Sequence, residues 1–401
     1  MRILIINQPL NNRGDESAHR ALVRRLNAAF PNSMLTVIFP SNTMDEVSQF
    51  IVESPGNRYV VIPEKKKWYL ARQCLKFRML WLGRLHPTAR SITRYIKDSD
   101  IVICAPGGIC MGGFQNWQHL LLLKLTKLAH KPLVYWGRSI GPFSSVTEEN
   151  RTFAEYSREM LGYFSFLSLR DSKSQKIADE MGFSYECTLD TAFLESPVCD
   201  IPKEIESELT DSYVVFVPNI LTWHYRYCDV PQEKIDDFWL SVIRLIAEKF
   251  KDSKIVMLPQ TYGKDVNDGY SYFTKIQKLY GSDRLFVLPE KYGSDIQQSI
   301  ISNSRFVVGA RYHSIVFAVN KGVPFLSLSY EHKMEGMLEM LKALDKKVNI
   351  EGLFSDPERK DQALSEISAR LESFDATPIQ KSAKDITDNC FERLLSYLGS
   401  L

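Results

Sequence analysis

Short apolar runs alternate with longer stretches of helical periodicity along most of this chain. The clearest example begins at 306–308, a run short enough and rich enough in β-branched residues to be a buried strand. Apolar residues then recur at helical spacing as far as Val319, and Gly322 stands where a left-handed residue would end a helix. A second apolar run occupies 323–329. The pattern predicts a strand–helix–strand unit with a parallel crossover, given such short connections.

Four polar or charged residues directly follow the two strands of this unit. Arg311 and His313 come after the first strand, and Tyr330 and Lys333 come after the second. Open α/β sheets bind ligands at the carboxyl edge of their strands, and N–H groups at a helix N-terminus attract anions there. We therefore expect the four side chains to converge on one crevice. The alternative for His313 is that its ring only caps its own helix.

The same alternation predicts two successive βα series. Predicted strands occupy 2–6, 34–39, 59–62, 100–104, 132–137, 164–169 and 185–189, then 213–217, 255–258, 285–288, 306–308 and 323–329, mostly with helices between them. Residues 196–211 lack periodicity and are predicted to be a linker. The fold class expected is α/β, with two Rossmann-like domains facing a cleft in a GT-B-like arrangement. The domains are 1–195 and 212–380, and a helix within 381–401 is expected to pack back on the first.

Charged residues also follow strands of the first series. Arg138, Arg170 and Asp190 each come directly after a predicted strand and together outline a polar rim. Asp15 lies on the first strand-to-helix turn, where it either caps the helix or contacts a ligand. The glycine-rich stretch 105–113 is predicted to be a loop whose backbone can approach a ligand closely.

Residues 65–97 hold ten Lys or Arg and no Asp or Glu, interleaved with aromatic and aliphatic side chains. Helical spacing predicts one apolar face, made of Leu70, Cys74, Phe77, Trp81 and Leu85. One interpretation is an internal helix whose basic face is solvated. The other is contact with an anionic membrane surface, since clustered cations and interfacial aromatic residues suit one.

Composition narrows the function classes. The chain has 401 residues and a net charge of +2, which argues against a general nucleic-acid binder. Its seven cysteines form no close CxxC pair and its seven histidines are scattered, so we expect reduced thiols and no metal site. The N-terminus lacks the apolar core of a signal peptide, and no run reaches the ~20 apolar residues of a membrane span. These features predict a cytoplasmic protein.

The order and spacing of these motifs resemble the polysaccharide pyruvyl transferase family over nearly the whole chain. The residues that carry the resemblance are Asn12-Arg13-Gly14-Asp15-Glu16, Gly107-Gly108, Ser139-Ile140-Gly141-Pro142-Phe143, Arg170-Asp171-Ser172-Lys173-Ser174, Asp190, Pro259-Gln260, and Gly309-Ala310-Arg311-Tyr312-His313 through Gly322-Val323-Pro324 to Tyr330 and Lys333. Arg13 and Arg138 depart from the pattern, where a smaller residue and a neutral polar residue are expected.

The resemblance implies transfer of the pyruvyl group of phosphoenolpyruvate to two hydroxyls of a sugar, giving a cyclic ketal and phosphate. Phosphoenolpyruvate carries a phosphate and a carboxylate, and arginine binds both groups bidentately. Donor binding is therefore expected of Arg311, Arg170, Arg138, Lys333, Gly309 and Tyr330. No cofactor is expected, because phosphoenolpyruvate is a co-substrate.

Catalysis is expected of His313, since histidine titrates in a range that suits proton transfer. Asp15 and Asp171 are the expected bases, with helix caps or arginine partners as the alternative for both. Acceptor contacts are expected of Asn12, Gly107, Gly108, Asp190 and Gln260. The resemblance further implies a polysaccharide or lipid-linked acceptor met at the inner face of the membrane, with 65–97 as the contact.

Two other functions fit the same residues. A nucleotide-sugar glycosyltransferase of GT-B type would also use an arginine and glycine loops, to bind a diphosphate. A non-catalytic sugar- or anion-binding module would need the cations but no turnover. The convergence of Arg311, His313 and Lys333 argues against the non-catalytic module.

Overall fold

The structure, a computed structural model, describes residues 1–40, 42–63, 68–209, 212–224, 226–263, 269–354 and 356–401. The chain forms two compact units. The N-terminal unit contains Met1–Leu10, Asp15–Leu194 and Ile386–Leu401. The C-terminal unit contains Asn11–Gly14 and Glu195–Asp385. Each unit is built around one parallel sheet.

The N-terminal unit has eight parallel strands in its described part. They are β1 Arg2–Ile6, β2 Met34–Pro40, β3 Asn57–Ile62, β4 Ile101–Cys104, β5 Gly107–Gly112, β6 Leu133–Gly141, β7 Phe166–Leu169 and β8 Glu186–Cys187. Their order is β3-β2-β1-β4-β6-β7-β8, and β5 pairs with β6. The order reverses between β1 and β4, which is the place where open α/β sheets bind ligands.

Helices cover both faces of this sheet. They are α1 Arg13–Ala29, α2 Met44–Val47, α3 Tyr69–Lys76, α4 Leu80–Gly83, α5 Pro87–Asp98, α6 Trp117–Leu128, α7 Glu148–Leu161 and α8 Ser172–Met181. Alternate residues of β1 enter different apolar clusters: Leu4 and Ile6 join one, and Ile3 and Ile5 join the other. Both faces of the strand are therefore buried, which explains why parallel strands appear as continuous apolar runs in the sequence.

The C-terminal unit repeats this plan. Its strands are β9 Tyr213–Val217, β10 Lys254–Met257, β11 Leu285–Val287, β12 Val307–Gly309, β13 Phe325–Ser329 and β14 Lys347–Asn349. Its helices are α9 Lys203–Glu206, α10 Gln232–Lys249, α11 Gly269–Tyr280, α12 Ser294–Ser302, α13 Tyr312–Asn320, α14 His332–Met340 and α15 Pro357–Arg370. The strand order β11-β10-β9-β12-β13-β14 is that of a Rossmann fold, with its reversal between β9 and β12.

The last helix, α16 Thr377–Gly399, contributes its C-terminal part to the N-terminal unit. Cys390, Phe391, Leu394 and Leu398 join an apolar cluster of that unit. The rings of Phe391 and Trp136 lie 5.7 Å apart in an edge-on contact. Residues from both ends of the chain therefore share one core.

Several stretches differ from the sequence-based expectation, among them 347–349, which forms β14 although no strand was predicted there. The stretch 105–113 contains a strand, because Gly107–Gly112 pairs with β6, for example Gly107 with Arg138. The stretch 196–211 contains α9 and the buried residues Ile205 and Leu209, so its described part packs within the C-terminal unit. Glycines in the stretch 105–113 and prolines in the stretch 196–211 interrupt the apolar periodicity by which strands and helices are recognised in a sequence.

The basic segment also differs from the expected single amphipathic helix. Its described part forms three helices, α3, α4 and α5. The helical conformation is interrupted between α3 and α4, where Arg78 adopts a positive φ of 59°. Trp68 is buried, whereas Phe77 and Trp81 are exposed by 68% and 61%. The expectation that Phe77 and Trp81 would lie on the packed face of an internal helix is wrong. Lys65, Lys66 and Lys67 lie outside the described residues.

Candidate functional site

The reversal point of the C-terminal sheet brings Asn219, Arg311 and Tyr330 together. Asn219 follows β9, Arg311 follows β12, and Tyr330 follows β13. The Asn219 side-chain amide donates to the Tyr330 hydroxyl at 2.8 Å and to the backbone oxygen of Ala310 at 3.4 Å. Asn219 therefore joins the ends of all three strands, a role that the sequence analysis missed.

Arg311 occupies the N-cap position of α13, and its side chain makes no cap hydrogen bond to that helix. The residue is only 9% exposed. Burial lowers the pKa of its guanidinium, and the negative charge of the neighbouring Glu331 opposes that shift. Even a lowered arginine pKa leaves the group charged at neutral pH. Arg311 is therefore a buried cation at a helix N-terminus, a position that suits an anion.

Lys333 lies in the first turn of the next helix, α14, beside Glu331. Its Nζ lies 2.7 Å from Glu331 Oε2 and 6.0 Å from the ring centre of Tyr312. Burial opposes ionisation of Glu331, but Lys333 and His224 favour it, and the net effect lowers the pKa of Glu331. Burial also lowers the pKa of His224, whose Nε2 lies 3.8 Å from Glu331 Oε1. Glu331 and His224 were not predicted, since nothing in their sequence context marks them.

His313 packs against the glycine of the N-terminal motif. A Cβ atom placed on Gly14 would lie 1.8 Å from His313 Cγ and 1.9 Å from its Nδ1, so only glycine fits there. His313 is buried, with the Tyr312 ring 5.0 Å away. The helix cap is Arg311, not His313, so the capping alternative is not what the structure shows.

Asn12 and Arg13 of this motif belong to the same unit as His313. The Asn12 side chain accepts a hydrogen bond from the backbone N–H of Gly14 at 2.8 Å, and Asn12 bridges to Thr261. The backbone N–H of Arg13 donates to Gln260 at 2.8 Å, and the Arg13 guanidinium lies 4.1 Å from the ring centre of Tyr262. Asn12 and Gln260, both predicted acceptor residues, therefore lie beside the segment that supports His313. Gln260 is buried, and its side-chain nitrogen meets no partner among the described residues.

Gly309, predicted to bind the donor, ends β12 against the following helix. A Cβ at this position would lie 2.0 Å from Ser314 Oγ and 3.0 Å from Ile315 Cδ1. Ser314 Oγ donates to the backbone oxygen of Arg311 at 2.5 Å. Gly309 is therefore required by the packing of the turn that carries Arg311, and its effect on a ligand would be indirect.

The polar rim of the N-terminal unit forms an internal network. Arg170 is ion-paired with Asp190, and both side chains are buried. Arg170 Nε donates to Ser139 Oγ at 3.2 Å, and Ser139 Oγ donates to Asp171 at 2.7 Å. Asp171 is the N-cap of α8 and accepts from the backbone N–H of Ser174 at 2.8 Å. The cap and arginine-partner alternative describes this geometry. The donor, base and acceptor roles expected of Arg170, Asp171 and Asp190 stay predictions.

Arg138 lies fully buried at the reversal point of the N-terminal sheet. Its guanidinium donates to the backbone oxygens of Ala105 at 2.7 Å and Asn7 at 3.2 Å. A Cβ on Gly107 would lie 3.1 Å from Arg138 Nη2 and 2.7 Å from Pro9 Cγ, so the glycine makes room for the arginine. Nothing lies within 4 Å of the equivalent position on Gly108, which is half-buried. Arg138 is thus in the other unit from Arg311 and Lys333, and the predicted donor residues form no single cluster within one unit.

A polar cavity of about 300 Å³ opens beside Arg138 in the N-terminal unit. Its described lining contains five carboxamide side chains, two arginines and one histidine, beside Pro9, Phe39, Pro40, Cys110 and Leu122. The polar members are Asn7, Gln8, Asn42, Arg72, Asn116, Gln118, His119 and Arg138. Burial, and then Arg138, lowers the pKa of His119 well below its usual range. The sequence analysis missed this cavity, although Asn7 and Gln8 directly follow β1 and could have indicated it.

Asp15 lies in the first turn of α1, half-buried, next to this cavity. The Gln8 side chain donates to the backbone oxygen of Asp15 at 3.5 Å. Burial works against the charged form of the Arg138 guanidinium, and the negative charge of Asp15 favours it. Asp15 is not the cap of α1, because the helix begins at Arg13 and Asn12 provides the capping oxygen.

No group of three or more His, Cys, Asp or Glu side chains in the described part of the chain is placed to hold a metal ion. No helix formed by the described residues is long and apolar enough to cross a bilayer.

Two Rossmann-like units define the class of the protein as a GT-B-like α/β protein. A Listeria monocytogenes protein described as a UDP-N-acetylglucosamine 2-epimerase aligns with a TM-score of 0.62 at 13% identity, covering 100% of this chain and 97% of its own. S. aureus MnaA, solved with UDP, has a TM-score of 0.59 at 12% identity, covering 100% and 97%. Phytolacca americana UGT2 has a TM-score of 0.55 at 10% identity, covering 100% and 99%. These likenesses confirm the predicted fold class.

The chain belongs to the polysaccharide pyruvyl transferase family, whose model matches residues 12–332. The amylovoran biosynthesis protein AmsJ of Erwinia amylovora is 22% identical over 370 residues, covering 85% of this chain and 86% of that protein. Family membership confirms the resemblance and supports a transferase with a polysaccharide-modifying role.

Proposed function

We propose that the protein transfers the pyruvyl group of phosphoenolpyruvate to two hydroxyls of a sugar. One observation supports the proposal. Helices α13 and α14 begin beside two cations, Arg311 and Lys333, and the side chains at their N-cap positions make no capping hydrogen bond to the helix. Phosphoenolpyruvate has two anionic groups. Arg311 would bind one of them at the N-terminus of α13, and Lys333 would bind the other at the N-terminus of α14 by giving up its ion pair with Glu331. Tyr330 adds a hydroxyl that burial keeps protonated, since it raises the pKa of that phenol.

The proposed reaction needs one proton on carbon and two hydroxyls deprotonated. Carbon 2 of the donor gains two C–O bonds to the sugar and loses its C–O bond to phosphate. One hydroxyl proton ends on the methylene carbon, which becomes a methyl group, and the other leaves with hydrogen phosphate. We assign His313 to the carbon protonation, because it lies two residues after Arg311 in a site that Gly14 keeps open for its ring. Asp15 is the proposed base for a sugar hydroxyl.

We assign the sugar to the polar cavity of the N-terminal unit. Carboxamides both donate and accept hydrogen bonds, so a lining rich in Asn and Gln matches the hydroxyls of a sugar. Arg72 and Arg138 add positive charge to the lining, which suits an acidic sugar or the phosphates of a lipid-linked oligosaccharide. The proposed setting is the cytoplasm, at the inner face of the membrane.

The decisive experiment incubates the protein with phosphoenolpyruvate and a panel of oligosaccharides, free and lipid-linked. Phosphate release is measured alongside mass spectrometry of the sugar. The proposal requires one pyruvyl group on the sugar for each phosphate released, and Arg311→Lys serves as the impaired variant. Phosphate release without a modified sugar would contradict it.

Thermal shift separates the proposal from its alternatives. Pyruvyl transfer predicts stabilisation by phosphoenolpyruvate and none by UDP- or GDP-sugars. Stabilisation by a nucleotide sugar alone would favour a glycosyltransferase. Binding of sugar with no turnover across the whole panel would favour a non-catalytic module.

A further inference from the structure

We propose that the surface formed by α3, α4 and α5 binds an anionic phospholipid bilayer. We call this surface the basic apolar face and define it by its exposed large apolar residues and its cations. The apolar members are Tyr69, Leu70, Phe77, Met79, Trp81 and Leu85. The cations are Arg84, Arg90, Arg94 and Lys97. The inference goes beyond the proposed reaction, because it concerns where the protein sits and not what it catalyses.

Apolar exposure is concentrated on this face. Sixteen large hydrophobic side chains are exposed among the described residues, and seven of them, including Leu82, lie between Tyr69 and Leu85. Phe77 and Trp81 are 68% and 61% exposed. A local cluster of this kind marks an interaction surface, whereas single exposed apolar residues are ordinary. Tyr and Trp also suit a lipid headgroup region, where an apolar ring body and a polar tip are both satisfied.

The opposite side of these helices is firmly packed. Trp68, Ala71 and Leu75 are buried in an apolar cluster of the N-terminal unit, together with Ile92 of α5. Lys76 is ion-paired with Glu149 at 2.6 Å, and Arg78 with Glu155 at 2.5 Å. The exposure of Phe77 and Trp81 is therefore a property of a fixed surface and not of a frayed end.

Four cations beside the apolar residues remain available for an anionic partner. Arg84, Arg90, Arg94 and Lys97 surround a hollow of about 560 Å³, together with Leu85 and Leu128. Asp98 is the one acidic side chain in the described lining. None of the four cations forms an ion pair with another described residue. A hollow lined by cations and apolar side chains complements a lipid phosphate and the acyl chains beneath it.

Charge decides between a bilayer and a second copy of this chain. In a symmetric dimer the same patch would face itself, so the four cations of one copy would oppose those of the other. A bilayer containing phosphatidylglycerol offers the opposite charge and accepts the aromatic residues without a shaped pocket. Arg72 of α3 also lines the polar cavity, so docking would hold that cavity next to lipid headgroups.

Vesicle sedimentation tests the inference with the full chain. Vesicles of phosphatidylcholine alone are compared with equal parts of phosphatidylcholine and phosphatidylglycerol, at low and high salt. We expect pelleting with the anionic vesicles at low salt, and its loss at high salt because salt screens the cations. Equal pelleting with both vesicles, or none at low salt, would overturn the proposal.

Two variants locate the contact. Arg84→Gln combined with Arg90→Gln and Arg94→Gln should weaken the apparent vesicle affinity by roughly 100-fold, because three cations leave the surface. Phe77→Ser combined with Trp81→Ser should weaken it by roughly tenfold or more. All five side chains are exposed or directed to solvent, so folding should be retained.

Matched controls use exposed residues elsewhere. Lys251→Gln with Lys278→Gln and Lys384→Gln removes three cations, and Val146→Ser with Val198→Ser removes two apolar side chains, 85% and 91% exposed. Vesicle affinity should stay at the parental value in both. Equal weakening in controls and test variants would refute a local contact. A dimer in analytical ultracentrifugation that Phe77→Ser and Trp81→Ser dissolve would assign this face to a second copy instead.

Discussion

Gly14 and His313 are separated by most of the chain, yet the ring of His313 fills the space where a side chain at Gly14 would begin. The ring atoms Cγ, Nδ1 and Cδ2 lie 1.8, 1.9 and 2.2 Å from a Cβ built on Gly14. Both residues belong to the C-terminal unit, because Asn11–Gly14 is part of it. The glycine of the N-terminal motif therefore determines where the histidine of the second motif can lie.

Gly14→Ala should displace the His313 ring and reduce turnover sharply. The added methyl overlaps ring atoms, and overpacking of this kind costs about 1–3 kcal/mol of stability. Turnover with phosphoenolpyruvate and the thermal midpoint are the measurements. Gly113→Ala is the matched control, because nothing lies within 4 Å of its Cβ position. Parental turnover in Gly14→Ala would show that the ring position does not matter.

His313→Ala and His313→Gln should both bind phosphoenolpyruvate and turn over at least ~100-fold more slowly, the scale for losing a general acid or base. Glutamine keeps hydrogen-bonding capacity but cannot deliver a proton at neutral pH, so it separates the two roles. Calorimetric titration gives donor affinity and phosphate release gives turnover. If glutamine restores near-parental turnover, His313 only positions other groups.

Arg311→Lys should lose most donor affinity, because an ammonium cannot replace the planar fork that binds a carboxylate or phosphate bidentately. Donor affinity by calorimetry is the measurement. Arg244→Lys, at an exposed position of α10 in the same unit, is the control and should bind as the parent does. Equal affinity in the two lysine variants would remove Arg311 from the donor site.

Arg170→Met should destabilise the N-terminal unit without changing the KM for phosphoenolpyruvate. It leaves Asp190 buried without its ion-pair partner, which costs about 3–5 kcal/mol. The double variant Arg170→Met with Asp190→Leu should recover much of that loss, because no charge is then stranded. Urea unfolding measures the stability. A raised KM with unchanged stability would instead restore Arg170 to the donor site.

Stability should fall as pH drops below about 6.5, and His19 should contribute to the fall. Its ring is buried between Gln8 and Tyr59, with Nδ1 2.8 Å from Gln8 Oε1 and Nε2 3.3 Å from the Tyr59 hydroxyl. Burial, and then Arg20, lowers the pKa of His19 to about 3. As the pH falls below the ordinary pKa of histidine, the unfolded chain therefore binds a proton on His19. The folded chain binds this proton only near pH 3.

That single group lowers the free energy of unfolding by about 1.4 kcal/mol for each pH unit in this window. Urea unfolding at several pH values measures the slope. His19→Gln should give a shallower slope than the parent, while His130→Asn, at an exposed position, should leave the slope as it is. An unchanged slope in His19→Gln would show that its ring is protonated in the folded state.

Local pattern was enough to predict most strands of both sheets, but not β5 or β14. The runs that became β1, β9 and β12 are apolar throughout because both faces of a parallel strand are buried, and that burial is visible in the sequence. β5 was missed because three of its six residues are glycines, which carry no side-chain signal. Its pairing with β6 arises from tertiary contacts, as between Gly107 and Arg138.

The candidate site was predicted only where strands that are consecutive in the sequence also pair with each other in the sheet. Arg311, Tyr330 and Lys333 follow adjacent strands, so strand order alone brings them to one sheet edge. Charged residues after strands can also face one another, as Arg170 and Asp190 do, and sequence cannot distinguish that ion pair from a ligand contact. The contact of Gly14 with His313 depends on tertiary folding, so no local rule could give it.

The contribution of residues 386–401 to the N-terminal unit affects the order in which the protein can fold during synthesis. The first 194 residues emerge from the ribosome without Phe391, Leu394 and Leu398, which complete the apolar cluster around Trp136. Until residues 386–401 have been made, that cluster lacks these three side chains and stays open to water. Translation that stops before residue 386 would thus release a product whose defect lies in the half of the molecule made first.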